Sequence, residues 1–215
     1  MSLIVNVRAT SGGGKTFLVR QIMKHYGILA PIPPIPTPGI KTWGYLLMGG
    51  IYVLGRYDAV CGGAHTVGSF GEIVRRINLH ADCGCPAIFE SLLWSTTFKT
   101  SDEFAKSTPH HVIFGLMDTP LELCHQRVLA RRHAAGNDKP FPVEKLVTKY
   151  RSCWSAQARL RDSKHDTRSV PHDDALATVL TWLEEARLTD GGSHPNRVGT
   201  ENGEKLRGND GETNG

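Results

Sequence analysis

Residues 3–16 of this chain read LIVNVRATSGGGKT, and this stretch decides the fold. Residues 3–7 form a short β-branched apolar run, which is typical of a buried parallel strand. Residues 9–16 then match the pattern A/G-x-x-x-x-G-K-S/T, and a helical segment follows from Lys15 to about Tyr26. A glycine-rich turn between a buried strand and a helix is a ready-made anion site, because the helix dipole and the turn N–H groups point at one ligand. The stretch therefore predicts a phosphate-binding loop that opens an α/β domain.

Each residue type in this loop has a defined part in binding a nucleotide. Lys15 supplies a point charge to the β- and γ-phosphates, and the Thr16 hydroxyl would coordinate Mg²⁺. Ala9 stands where the simplest form of the motif has glycine, and a small side chain is sufficient there. The residues whose backbone N–H groups wrap the β-phosphate are Ser11, Gly12, Gly13 and Gly14. The expected ligands are ATP and Mg²⁺.

Apolar strands alternate with amphipathic helices along the rest of the chain. The Gly-Gly pair at 49–50 between two short runs predicts a β-hairpin over residues 44–55. Five prolines within residues 27–43 exclude a helix or a central strand and favour an extended loop. Further strands are predicted at 87–90, 111–117 and 167–171, and further helices at 68–81, 101–106, 120–133, 143–162 and 174–186. This alternation predicts a mostly parallel sheet with helices on both faces.

Length and composition indicate one globular domain. The chain has 215 residues, of which 40% are hydrophobic, and this is enough to build a single core. Residues 189–215 are rich in glycine and asparagine and poor in apolar side chains, so we expect a disordered tail after a folded domain of residues 1–188. No apolar run approaches the roughly 20 residues of a membrane-spanning helix, and we expect a cytoplasmic protein. The five cysteines form no CxxC pair, which favours reduced thiols.

The class of nucleotide enzyme follows from the motifs that accompany the loop. The chain has no N/T-K-x-D motif for reading guanine, which argues against a GTPase. It is also shorter than a motor or oligomeric ATPase. What remains is a small phosphotransferase with an arginine-bearing lid, since arginines neutralise the charge on a transferring phosphoryl group. Residues 118–138 predict that lid, with Arg127 and Arg131 four apart on one helix face and Arg132 beside them.

Two carboxylates are candidates for orienting and deprotonating the acceptor hydroxyl. Glu90 ends the apolar strand at 87–90, and parallel sheets place such groups at the carboxyl ends of their strands. Asp58 follows the hairpin, just before a Cys-Gly-Gly loop suited to close approach of a substrate. We expect the catalytic set to be Lys15, Arg131 and one of these two carboxylates.

These residues resemble a known family. The runs RYDAVCGGAHTVGSFGEIVRRI, AIFESLLWST and DTPLELCHQRVLARR, together with the glycine loop, resemble phage-encoded P-loop kinases of the thymidylate-kinase-like type. Among these, the chain is most similar to the 5-hydroxymethyluracil DNA kinases of thymidine hypermodification. The resemblance implies a P-loop kinase fold with a small β-hairpin insertion. It also implies transfer of the ATP γ-phosphate to the 5-hydroxymethyl group of 5-hydroxymethyl-deoxyuridine in DNA.

Charge patterning bears independently on the acceptor. Residues 127–168 carry eleven basic side chains against four acidic ones, a patch that could follow a DNA backbone. A modified base would be flipped out of a duplex, and aromatic candidates for stacking on it are Trp43, Tyr45, Tyr57 and Phe70. Two alternatives remain open at this level: a nucleoside or nucleotide kinase that acts on free monomers, and a nucleotide-binding regulator without transfer activity.

Overall fold

A computed structural model describes residues 1–32, 44–58 and 62–189 of the chain. Within these ranges the strands are β1 (Leu3–Arg8), β2 (Ile28–Ile32), β3 (Gly44–Leu47), β4 (Tyr52–Leu54), β5 (Ala87–Glu90), β6 (His111–Met117) and β7 (Asp166–Val170). The helices are α1 (Lys15–Tyr26), α2 (Phe70–Asp82), α3 (Leu92–Thr96), α4 (Phe98–Ser107), α5 (Leu121–Ala134), α6 (Val143–Asp162) and α7 (Ala175–Thr189). The α/β prediction is confirmed.

The seven strands form one sheet in the order β2-β3-β4-β5-β1-β6-β7. The five strands from β4 to β7 pair in parallel, whereas β2 and β3 pair antiparallel at one edge. The predicted hairpin is therefore present as β3 and β4, and it belongs to the main sheet because β4 pairs with β5. In the register of β1 and β5, Val7 lies opposite Glu90, which places the end of β5 beside the start of the glycine loop.

The first part of the proline-rich segment is a strand rather than the loop expected from its composition. Ile28–Ile32 pairs with β3 and forms the edge of the sheet. Proline is tolerated in an edge strand because one side of that strand makes no ladder hydrogen bonds, and Pro31 lies in this position. Residues 33–43, which contain the other four prolines, lie outside the described ranges.

Helices cover both faces of the sheet, as predicted. On one face, α1 and α7 pack on the sheet through apolar side chains such as Ile22 and Leu183. On the other face, α2, α3, α4 and α6 contribute a second core that includes Ile77, Trp94 and Leu160. The β1 residues Leu3–Arg8 are buried throughout, which accounts for the apolar side chains at four of the six positions. The glycine loop therefore begins on the most central part of the core.

Several boundaries differ from the sequence prediction. The short helix α3 was not predicted, because five residues carry too little periodicity to identify a helix. The last helix continues to Thr189, three residues beyond its predicted end. The tail predicted to be disordered lies, from residue 190 onward, outside the described ranges. None of the helices described has the length and apolarity to cross a membrane, and the four cysteines within the described ranges are unbridged.

Candidate active site

The glycine loop has the geometry of an anion cradle. Gly14 has a φ of 91°, which is left-handed backbone that favours glycine, and it lies directly before the first residue of α1. A Cβ atom on Gly13 would lie 2.5 Å from the Cβ of Ala9, so the loop closes only because both residues are small. The Gly13 N–H donates to the Thr10 carbonyl at 3.2 Å, which tightens the turn. The space in front of the loop therefore remains open to a phosphate group.

Lys15 is buried at the base of this cradle, with 7% of its surface exposed. Its ammonium group donates to the carbonyls of Ala9 at 2.9 Å and Thr10 at 3.1 Å. Burial lowers the pKa of Lys15, and the nearby charge of Glu90 opposes that shift. An ammonium group has three N–H donors, and two of them are used by the loop. The third is available to a bound anion.

Glu90 lies beside the loop at the end of β5, and 3% of its surface is exposed. The Thr16 hydroxyl donates to its Oε1 at 2.7 Å. Burial raises the pKa of the Glu90 carboxyl, while Lys15, the Thr16 hydrogen bond and His65 act in the opposite direction. A Cβ atom on Gly63 would lie 2.6 Å from Oε1 of Glu90, so the glycine loop at 62–63 packs directly on this carboxylate. A buried carboxylate and a hydroxyl thus meet at the mouth of the cradle.

The arginines of α5 approach the same loop. The Thr119 hydroxyl donates to the Gly13 carbonyl at 2.9 Å and holds the start of α5 against the cradle. Arg127 Nη1 lies 3.5 Å from the Gly12 carbonyl. Arg132 instead donates to Asn137 Oδ1 at 3.0 Å and to the carbonyl of Lys139 at 2.9 Å, so it stabilises the turn after α5. Two of the three arginines proposed for the lid therefore face the loop.

A cleft of about 340 Å³ brings these groups together. Its lining includes the predicted residues Ser11, Gly12, Gly13, Gly14, Lys15, Thr16, Glu90, Arg127 and Arg131. It also includes Phe17, Arg20, His65 and Leu92, which sequence reasoning had not placed in the site. Phe17 is 66% exposed although it is a large apolar side chain. An aromatic residue directly after the Lys-Thr pair, on the first turn of α1, is the signal that could have identified it.

Asp58, the alternative carboxylate, has a different environment. Arg56 Nη2 lies 2.7 Å from Asp58 Oδ2, and the Asp58 side chain is 55% exposed. Asp58 is not among the described residues that line the cleft, and its neighbours at 59–61 lie outside the described ranges. The structure thus brings Glu90 to the glycine loop, and the catalytic role of either carboxylate stays a prediction.

The aromatic residues proposed for base stacking differ in how far they are exposed. Tyr57 is buried and donates its hydroxyl to the Leu54 carbonyl at 3.3 Å, so it belongs to the core. Tyr45 is half-buried against Tyr57, with ring centroids 6.4 Å apart. Phe70 is partly exposed and stacks on Trp94 at 4.9 Å, which leaves one of its faces available. Trp43 lies outside the described ranges.

Arg8, the last residue of β1, is a buried charge that sequence reasoning missed. It is fully buried, and its guanidinium donates to Ser101 Oγ at 2.8 Å and to the Ser95 carbonyl at 3.0 Å. Burial lowers the pKa of Arg8 to about 10. Arg8 thereby ties the strand that precedes the glycine loop to α3 and α4. A single arginine at the end of an apolar run carries no sequence signal for this role.

Three curated phage proteins are similar to this chain. A 5-hmdU DNA kinase of Pseudomonas phage PaMx11 is 30% identical over 142 residues, which are 64% of this chain and 73% of that protein. A 5-hmdU DNA kinase of Delftia phage PhiW-14 is 29% identical over 163 residues, and the match spans 69% of this chain and 60% of the relative. A 5-hmdU DNA kinase of Pseudomonas phage M6 is 28% identical over 194 residues, or 84% of this chain and 97% of the relative.

No family model matches the chain. The identity to the PaMx11 protein and the coverage of that relative nevertheless settle the family, and they agree with a cleft built around a glycine loop, a lysine and a carboxylate. A kinase takes its phosphate from a nucleotide donor such as ATP, and the cradle has the groups to hold one. The chain therefore belongs to the family of 5-hmdU DNA kinases and is a phosphotransferase.

Proposed function

We propose that this protein has the P-loop kinase fold and transfers the γ-phosphate of ATP to the 5-hydroxymethyl group of 5-hydroxymethyl-deoxyuridine in DNA. The observation that carries the proposal is the cleft in which the Glu90 carboxylate lies beside the glycine loop. A site for binding alone needs the loop but no buried carboxylate beside it. The names of the three relatives support the choice of acceptor.

The triphosphate would lie in the cradle formed by the glycine loop. A Cβ atom on Gly13 would meet the Cβ of Ala9 at 2.5 Å, so the turn closes only with glycine there. The Gly13 N–H bonds to the Thr10 carbonyl, and the backbone N–H groups of Ser11, Gly12 and Gly14 would bind the phosphate oxygens. Lys15 would use its third N–H to hold the β- and γ-phosphates. Arg127 and Arg131 line the same cleft from α5 and would neutralise the charge on the transferring group.

Mg²⁺ fits the oxygen donors at the mouth of the cradle. Hydroxyl and carboxylate oxygens are the ligands that this ion prefers, and Thr16 Oγ1 and Glu90 Oε1 are 2.7 Å apart. Thr16 would hold the ion, with Glu90 beside it. When bound, Mg²⁺ neutralises the negative charge that phosphoryl transfer concentrates on the phosphate oxygens.

The acceptor hydroxyl needs a group that orients it and takes its proton. Glu90 is the carboxylate in the cleft, and burial raises its pKa toward the range in which a carboxylate is an effective general base. His65 also lines the cleft, and its electrostatic interaction with Glu90 opposes the upward shift of the Glu90 pKa that burial causes. Glu90 would therefore orient and deprotonate the hydroxymethyl group, and Asp58 is the alternative base.

The proposed kinase domain covers residues 1–188. The acceptor in this proposal is phage DNA, so the reaction would take place in the cytoplasm of the infected cell. The basic segment between Arg127 and Arg168 supports a polymeric acceptor, since a free nucleotide presents only a few phosphates.

The test is a transfer assay with ATP labelled at the γ-phosphate. Four acceptors are compared: DNA that contains 5-hydroxymethyluracil, the same DNA with thymine, 5-hydroxymethyl-deoxyuridine monophosphate, and the free nucleoside. We expect the wild-type protein to label the DNA that contains 5-hydroxymethyluracil but not the DNA that contains thymine. The Lys15→Ala variant should label neither. Label in the free nucleotide but not in DNA would contradict the proposed acceptor and establish a monomer kinase.

A further inference from the structure

A second groove of about 390 Å³ lies outside the candidate active site. It is formed between α6 and the α3–α4 junction, and its lining residues are Thr96, Phe98, Thr148, Arg151, Ser152, Ser155, Ala156 and Arg159. The lining contains two arginines, four hydroxyl side chains and no acidic residue. From this lining we infer that the groove binds the phosphodiester backbone of the DNA strand that carries the acceptor base. The inference rests on the proposed function and adds a binding site to it.

The two arginines are arranged to receive an anion. Arg159 stacks on the Phe98 ring at 4.1 Å, which orients the guanidinium plane while its edge N–H groups stay available. In the described parts of the chain, neither Arg159 nor Arg151 has a side-chain hydrogen bond or an ion pair. Both are exposed. Exposed arginines with no carboxylate in the lining favour a phosphate group over a cation or an apolar ligand. The arginines supply the free donors, because the hydroxyls of Thr96, Thr148 and Ser152 donate to carbonyls of their own helices.

The spacing of the arginines suits a strand rather than a single phosphate. Arg151 and Arg159 are eight residues apart on α6, which is about 12 Å along the helix axis. One strand of nucleic acid rises about 3.4 Å per nucleotide, so the two arginines are about three or four nucleotide steps apart, whereas the internucleotide phosphates of a trinucleotide are only one step apart. Two positive charges at this separation contact different phosphates of the same strand.

The groove is also close enough to serve the active site. Leu92 lines the cleft at the glycine loop, and Thr96 lines the groove. The two residues are the first and last of α3, which separates them by about 6 Å along that helix. At about 3.4 Å per nucleotide, a strand leaving the cleft reaches the groove within two nucleotides. The short helix α3 therefore forms the wall between the base-modifying cleft and the backbone-binding groove.

The test measures DNA affinity against salt. A fluorescent single strand of about 16 nucleotides with one central 5-hydroxymethyluracil is titrated at several KCl concentrations, beside a trinucleotide too short to reach both arginines. The variant is Arg151→Gln with Arg159→Gln. The control is Lys24→Gln with Arg75→Gln, which removes the same charge from exposed residues outside both the groove and the basic segment 127–168.

We expect the groove variant to bind the long strand about tenfold more weakly than the wild type at ~0.1 M salt. The slope of the logarithm of the association constant against the logarithm of the salt concentration should also become about 1.4 smaller in magnitude. Each phosphate contact on a single strand contributes about 0.7 to that slope, and the variant loses two contacts. The control should change neither quantity. A double Arg→Lys variant at residues 151 and 159 should keep most of the slope, which separates lost charge from lost folding. The trinucleotide should bind all variants alike.

Two results would overturn the inference. One is a groove variant whose slope and affinity equal those of the control. The other is an equal loss with the trinucleotide, because it would place the arginines at the cleft itself. The transfer assay on the wild type reports separately on the proposed function. If the wild type transfers phosphate to DNA but the groove variant has an unchanged slope, only the inference about the groove is refuted. If the groove variant has a changed slope but the wild type transfers no phosphate, only the proposed reaction is refuted.

Discussion

The charges around the glycine loop are buried, whereas those along α5 and α6 are mostly exposed. Arg8, Lys15 and Glu90 have almost no contact with water, and neighbouring carbonyls and hydroxyls hold each of them in place. Arg151 and Arg159 project from one helix face toward solvent. A buried charge acts at one position with little screening, while exposed charges act together and weaken with salt. The two regions should therefore respond very differently to the same kind of substitution.

The strongest test of the buried region is Lys15→Ala. We expect kcat to fall by about 10³ or more, because in the proposed reaction the ammonium group neutralises charge on the transferring phosphate. The fold should persist, since Lys15 lies in the loop at the start of α1 and belongs to neither apolar core. The measurement is kcat together with the melting temperature. Lys24→Ala on the exposed side of α1 is the control, and a Lys15→Ala enzyme with more than about a tenth of the activity would refute the role.

The second test separates the two carboxylates. Glu90→Gln keeps shape and polarity but removes the charge, so turnover should fall by about 10² or more while ATP still binds. Asp58→Asn should be milder, because Asp58 is half-exposed and paired with Arg56. The measurement is kcat and ATP affinity for both variants on the same acceptor. An almost normal Glu90→Gln beside an inactive Asp58→Asn would transfer the role of base to Asp58.

A third test concerns the buried arginine. Lysine in place of Arg8 keeps a charge but loses the planar fork with which two separate guanidinium nitrogens reach Ser101 and Ser95. The unmade hydrogen bond leaves a buried acceptor unsatisfied, so the free energy of unfolding should fall by about 1–3 kcal/mol. Urea denaturation measures the change. Arg161→Lys on the exposed face of α6 should change nothing, and equal stability of Arg8→Lys would show that its hydrogen bonds are dispensable.

The fourth test addresses the arginines that face the loop. Arg127→Gln and Arg131→Gln should each lower kcat/KM for ATP about tenfold, since each removes one charged contact to the triphosphate. Arg132→Gln is the matched control on the same helix, because Arg132 stabilises the turn after α5. A loss with Arg132→Gln as large as with the other two would mean that the helix acts through its overall charge.

The smallest effect concerns stability and pH. Burial raises the pKa of Glu90 in the folded protein above the ordinary glutamate value of 4.5. The contribution of the protonated Glu90 to stability is therefore fully present below pH 4.5. It is lost as the pH rises through the raised pKa, because the buried carboxyl must then ionise. Glu90→Gln does not titrate, so it should melt higher than the wild type at neutral pH and equal to it in acid. Melting curves of both proteins across pH measure this difference. A variant that melts lower at neutral pH would show that the charge of Glu90 stabilises the fold.

Local signals accounted for much of the site. The glycine loop, Lys15 and Thr16 are contiguous, so one stretch of sequence contains both the residues and their geometry. Glu90 could be predicted as a strand end, because parallel strands share one functional edge. The role of Arg8 and the edge strand β2 could not be predicted, since each depends on partners distant in the sequence, and α3 is too short for its periodicity to identify a helix.

The α/β class, the glycine loop between β1 and α1 and the two carboxylate candidates could be predicted from the sequence alone. Periodicity and contiguous motifs carry that information, because they follow from local backbone geometry. Only the tertiary structure decided which carboxylate lies at the loop, which arginines face it, and that α6 and α3 enclose a basic groove. These outcomes depend on the order of strands in the sheet and on helices packed across it, and side chains far apart in sequence meet only after that packing is complete.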